Sequence, residues 1–358
     1  MTVTGSAPAA ADLLTRLASS PDAYPQKIDL YSWMVLVVGL DPAGYRAASF
    51  LDDRVLGPST QGAWLPVADA IEASYRVAHA RPLHFIFHTG HVGSTLVSRL
   101  LDETGEVLSL REPLPLRTLA DAHDLQGRPD SLLSAAQFEL VLGAFMRLWS
   151  RGYDSTRSVV VKATSSAGRL AAPILAANDG VRAIYMNLRA EPYLATLLAG
   201  QNSPTDLRGH GPERMRRLQA RVAVPLAPLH TLSIGELAAL SWVAESWMQR
   251  EAAARFADRV ITLDFDQFLA RIVDSLSRIL DHFGLSPDPQ YLATIGRSAV
   301  LGRYSKAPEH AYTPGLRAEV LRDSRRHNAE EIRKGMAWLE RFAQADPAVA
   351  EIVNGGDR

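Results

Sequence analysis

From residue 83 onward, short and wholly apolar runs alternate with longer stretches of helical period, and few folds accommodate that pattern. LHFIFH (83–88) reads as a buried strand; Leu96, Val97, Leu100 and Leu101 follow at helical spacing, and Gly105 stands where a helix would stop. EVLSL (106–110), SVVVKA (158–163), VRAIYMNL (181–188) and RVITLD (259–264) repeat the strand pattern. Helical periods fill 131–150, 236–257, 269–283 and 315–344. Strands that are apolar on both faces and separated by helices imply a parallel sheet covered on both sides. The expected fold class is therefore α/β: a three-layer α/β/α core with a five-stranded, mainly parallel sheet. Such sheets bind ligands at the carboxyl ends of their strands, so functional residues should stand just after each apolar run.

Before that core, residues 1–80 combine an Ala/Ser-rich start with turn signals at Pro21, Pro25, Gly39, Pro42, Gly57 and Pro58, and predict a small N-terminal helical extension or cap. The core is expected over 81–315, with 316–358 as a C-terminal helical segment packed on it. The 358 residues are 47% hydrophobic, enough for a large core. Lys and Arg total 38 against 39 Asp and Glu, a near balance that argues against bulk nucleic-acid binding or a membrane-surface role. There is no cysteine, which excludes disulfides, thiolate metal sites and a cysteine nucleophile. The first residues show no basic-then-apolar signal pattern, and the longest apolar stretch, 33–40, is too short to span a bilayer. A cytoplasmic location is expected.

The first strand leads into HTGHVGSTLVSRLL (88–101). Gly90 and Gly93 free the backbone to wrap an anion, and Ser94 and Thr95 open a helix whose N–H groups and positive dipole end favour an oxyanion. The loop is not a Walker A motif: the glycines are three apart and no Lys follows the second. The other reading of the same residues is a plain strand-to-helix turn. After the second strand comes Leu110-Arg111-Glu112-Pro113. If that strand neighbours the first, Glu112 faces the anion cradle, where it would serve as a general base. The bland alternative is a solvated carboxylate, or one paired with Arg111.

The run FHTGHVGSTLVSRLL resembles the 5'-phosphosulfate loop of sulfotransferases, a family built on a P-loop NTPase-like fold. The resemblance implies that Gly90, His91, Val92, Gly93, Ser94 and Thr95 bind 3'-phosphoadenosine 5'-phosphosulfate, with 3',5'-adenosine bisphosphate as the product. It puts His91 where the family has a basic residue that stabilises the leaving group. Arg-Glu-Pro is similar to the element that carries the base in a group of bacterial sulfotransferases, which implies catalysis by Glu112. LRAEPYLATLL (188–198) resembles the family's 3'-phosphate segment and carries over Arg189 and, with Thr in place of Ser, Thr196. Lys162 ends the third strand where the family often has Lys. GRYSKAPEHAYTPGLR (302–317) stands where the family's nucleotide loop closes, making Tyr304 and Lys306 candidates, although the family's Arg-Lys-Gly type of motif is absent.

The resemblance implies sulfuryl transfer to a small-molecule, carbohydrate, lipid or peptide acceptor, with no metal required. Three other readings stay open at this point. A kinase or phosphotransferase would use ATP and magnesium. A serine hydrolase would use Ser166 in the TSSAG run. A nucleotide-binding protein would bind without turnover. The basic run 208–221 is read as a mobile lid, an acceptor-binding element or a solvated helix face.

Overall fold

The computed structural model describes residues 7–286 and 288–355; residues 1–6 of the Ala/Ser-rich start lie outside them. The first surprise is the N-terminal unit. It was expected to be helical, yet β1 (Ala23–Asp29), β2 (Met34–Gly39) and β3 (Gly62–Pro66) form an antiparallel sheet in the order β1-β2-β3. Helices Ala7–Leu17 and Val67–Tyr75 pack beside it. The β-branched run MVLVVG drives the strand, because Val fits a pleated, half-buried surface. Pro25 falls at a register shift between β1 and β2, a position where a proline does not interrupt the ladder.

The central sheet follows the sequence closely. β4 (Leu83–His88), β5 (Val107–Arg111), β6 (Ser158–Lys162), β7 (Ala183–Asn187) and β8 (Val260–Asp264) pair in parallel in the order β5-β6-β4-β7-β8. Side chains alternate between two cores. Phe85, Phe87, Val159, Val161 and Tyr185 enter one; Ile86, Val160, Ile184 and Met186 enter the other. Val35, Val37 and Leu65 of the N-terminal sheet join the first core, so that unit is packed on the α/β layers and not tethered beside them.

One expectation about this sheet is corrected. β5, which carries Glu112 at its end, does not neighbour β4: β6 lies between them. Two strand spacings separate the ends of β4 and β5 by about 10 Å. The crossover from β4 to β5 leaves a gap that β6 later fills, and local sequence does not specify such an insertion.

The helices differ from expectation mainly at breaks. The predicted helix 315–344 is two, Pro314–His327 and Ala329–Ala345, interrupted where the Asn328 amide donates to Leu198 O (3.2 Å) and Ser324 Oγ (3.0 Å). The 269–283 period divides at Arg271 into Phe265–Ala270 and Ile272–His282. The basic run 208–221 lies mostly in helix Ser203–Gln219, and two of its arginines are buried. Arg214 Nε and Arg217 Nη2 reach Glu245, which has no exposed side-chain surface, at 3.2 and 2.8 Å; Arg217 Nε also reaches Glu213 at 2.7 Å. A buried carboxylate survives only when paired, so Arg214 and Arg217 form an internal ionic strut, while Arg208, Arg216 and Arg221 of the same run stay exposed. No helix among the described residues is long and apolar enough to cross a membrane.

Candidate active site

The turn after β4 is shaped by backbone conformations that most residues avoid. Gly90, His91 and Gly93 have φ of 110°, 54° and 71°. A Cβ on Gly93 would fall inside the Phe265 ring, so only glycine fits there. Helix Ser94–Asp102 starts directly after it, with the first N–H groups free of helical partners. Tyr193 fastens the turn from behind: its hydroxyl donates to Thr89 O at 3.1 Å and lies 3.0 Å from Ser241 Oγ. Thr95 is buried and its Oγ1 has no partner within the protein.

The turn opens into a cavity of about 430 Å³. Its far wall is an antiparallel hairpin, β9 (Arg303–Tyr304) and β10 (Ala307–Ala311). Tyr304 and Lys306 line it, as the sequence implied, and so do Gly93, Ser94, Thr95 and Thr196. A site with backbone N–H groups, an orphaned buried hydroxyl and a nearby ammonium fits an anionic nucleotide.

Glu112 also has positive φ, 53°, and its N–H donates to Lys162 O at 2.6 Å. Apart from Trp33, His91 and Glu112 are the only non-glycine residues with positive φ among the described residues. Strained backbone of this kind clusters at functional sites. The Glu112 carboxylate pairs with the Lys162 ammonium, not with Arg111. Lys162 is wholly buried while the Glu112 side chain keeps 16% exposure, so the pair has one edge to solvent. Burial pushes Lys162 down to about 8; Glu112 opposes that shift, and Lys306 adds to it. Arg111 is instead buried against Asp102, and its Nη1 donates to Tyr45 O (2.8 Å) and Ala48 O (2.9 Å).

The two histidines of the first motif are neutral. His88 is buried at the end of its strand, its Nε2 is 2.9 Å from Ala163 O, and burial holds its pKa well below the ordinary value. His91 is exposed and stands near the cations Lys306, Lys162 and Arg214. Desolvation, then Lys306, Lys162 and Arg214, lower its pKa to about 3. A neutral imidazole donates one hydrogen bond but brings no charge. The positive charge near the turn comes from Lys306, Lys162 and Arg214, all outside the loop itself.

The pair Arg189 and Thr196 is divided. Thr196 lines the 430 Å³ cavity, and its hydroxyl donates to Pro192 O at 2.7 Å. Arg189 is exposed and lines a different cleft of about 680 Å³ with Asn187, Gln249 and Asp264. Arg189 precedes helix Ala190–Leu198, and seven residues of helix span roughly 10 Å. Glu191 does not hold it; Glu191 pairs with Arg325 at 2.8 Å. Sequence reading also missed Arg317, which lines the cavity, reaches Asp266 at 2.7 Å and lies 5.1 Å over the Phe265 ring. The DFD run at 264–266 was its only signal.

No protein-family model matches the chain, and no curated protein does either. Solved structures do match in fold. The chain is similar to sulfotransferases. A sulfotransferase domain from the curacin biosynthetic pathway aligns over 65% of this chain and 84% of its own, at 14% identity and TM-score 0.38. A sulfotransferase from Alicyclobacillus acidocaldarius aligns over 76% and 100%, at 15% identity and TM-score 0.37. Mouse sulfotransferase SULT7A1, solved with PAP, aligns over 75% and 87%, at 10% identity and TM-score 0.37. The glycine turn, Lys162 and Glu112 lie at the carboxyl ends of β4, β6 and β5, three strands side by side in the sheet.

Proposed function

We propose that this chain is a sulfotransferase that moves a sulfuryl group from 3'-phosphoadenosine 5'-phosphosulfate to a hydroxyl or amine of an acceptor. One observation carries the reading: a carboxylate–ammonium pair, Glu112 after β5 with Lys162 at the end of β6, beside a glycine turn after β4 whose buried Thr95 hydroxyl has no partner. That arrangement supplies a base and an anion cradle within one sheet edge, which is what transfer to a hydroxyl requires.

When bound, the nucleotide supplies an electrophilic sulfuryl group on a phosphate leaving group. The N–H groups of 93–95, Thr95 Oγ1 and the His91 ring would hold its oxygens, and Lys306 would add charge from the hairpin. Thr196 and Lys306 would serve the 3'-phosphate, whereas Arg189, which lines the neighbouring cleft, would have to turn its exposed side chain to join them. Glu112 takes the acceptor's proton. Lys162, paired with Glu112, would also steady the charge left on the phosphate oxygen.

The test is calorimetric titration with 3',5'-adenosine bisphosphate, with ADP, and with ATP and magnesium, repeated on Lys306→Ala and Arg189→Ala. Metal-independent binding of the bisphosphate, with ADP much weaker and the gap narrowed in both variants, is expected. Preference for ATP with magnesium would reject sulfuryl transfer. A wild-type gap in Arg189→Ala would remove Arg189 from the site.

A further inference from the structure

One guanidinium joins three parts of the chain that sequence separates widely. Arg99 lies on the helix Ser94–Asp102 that follows the glycine turn. Its Nε donates to Ser305 O at 2.8 Å, in the hairpin that walls the cavity. Its Nη1 donates to Arg46 O at 3.1 Å, and its Nη2 to Ala47 O at 3.4 Å and Ser49 Oγ at 2.9 Å, all in the N-terminal unit. The residues next to these contacts also meet: Lys306 Nζ is 6.0 Å from the Phe50 ring centroid, and Arg54 Cζ is 3.6 Å from it. The same N-terminal segment is bound to the residue before Glu112, because Leu51 N donates to Arg111 O at 2.6 Å.

We infer that Arg99 is a positioning residue that holds the 303–311 wall of the cavity against the N-terminal segment 46–50, so that filling the cavity is felt in that segment. Two carbonyls and a hydroxyl in one unit and a carbonyl in another are satisfied by a single rigid fork, which fixes their relative placement as a lysine would not. Coupling is reciprocal: a ligand that steadies the hairpin steadies whatever the hairpin is fastened to. No part of the guanidinium touches the cavity itself, so its effect on binding runs through Ser305 and Lys306. The inference rests on the nucleotide reading only for the choice of probe.

The experiment is amide hydrogen exchange on the full chain, with and without 3',5'-adenosine bisphosphate, for wild type, Arg99→Met, Arg99→Lys and Ser49→Ala. Methionine keeps the apolar stem and loses the fork. Losing bonds each worth about 1 kcal/mol net makes opening of 303–311 about tenfold more frequent in Arg99→Met, while β4 and β6 keep their protection. Arg99→Lys gives an intermediate rate. Ser49→Ala, remote from the hairpin in sequence, raises hairpin exchange a few-fold. In wild type the bisphosphate slows exchange at 46–50 as well as at 303–311, and in Arg99→Met only the hairpin responds. Unchanged hairpin exchange in Arg99→Met overturns the inference. So does acceleration spread evenly over the sheet, or ligand protection of 46–50 that survives the substitution. If wild type does not bind the bisphosphate, the nucleotide reading fails, and ligand-free hairpin exchange alone decides the role of Arg99.

Discussion

Removing both charges of the Lys162–Glu112 pair should destabilise the protein no more than removing either one. Lys162 has no exposed side-chain surface and Glu112 has 16%, so each charge depends on the other and not on water. Exposed ion pairs contribute about 0.2–1 kcal/mol. Breaking a buried pair from one side costs about 3–5 kcal/mol, because the survivor is left desolvated. The solvent edge at Glu112 places Glu112→Gln and Lys162→Met near the lower end, about 3 kcal/mol each. The double variant carries no buried charge and should cost no more than either single, which gives a coupling energy of about 3 kcal/mol. The assay is urea denaturation of the four proteins at pH 7, followed by far-UV circular dichroism. A coupling below about 1 kcal/mol, the range of an exposed pair, would refute the reasoning. pH adds a second arm. Lys162 is lowered to about 8 in the folded chain and returns to about 10.4 when unfolded. Between those values the unfolded state binds more protons, so wild-type stability measured against Lys162→Met should rise with pH from about 8 to 10.4. The cycle also guards the functional test. Lost turnover in Glu112→Gln means a lost base only if the variant is still folded in the assay.

Two further outcomes are expected. Gly93→Ala places a methyl inside the Phe265 ring at a φ of 71°, so it should lower stability by about 1–3 kcal/mol in thermal melts, with part recovered in a Phe265→Leu background; a melt like wild type would mean the turn relaxes freely. The His91 ring, lowered to about 3, should show no titration between pH 5 and 8 by NMR of the ligand-free protein, and a midpoint near 6.5 would return it to the cationic role.

How much of this was legible beforehand varies by residue. Gly90, Gly93, Ser94 and Thr95 were readable because a strand, a glycine turn and a helix start are written in consecutive residues. Tyr304 and Lys306 line the cavity, yet nothing near them in sequence shows that Arg99 fastens their hairpin to residues 46–49. Lys162 was noticed at the end of its strand, but its partner could not be named. The buried Glu245 with Arg214 and Arg217 was hidden for the same reason: residues 28 or more apart meet only after the helices pack.

The sequence by itself determined the five core strands, their parallel character and the glycine turn. These follow from backbone preferences and from the period of apolar residues, and both act over a few neighbours. Tertiary structure decided the rest. It set β6 between β4 and β5, which brought Lys162 rather than the glycine turn against Glu112. It made the N-terminal unit a sheet joined to the first core, and it left Arg189 and Thr196 in different clefts. Strand order and long-range ion pairing are settled by which surfaces bury one another best across the whole chain, and no local window of residues contains that competition.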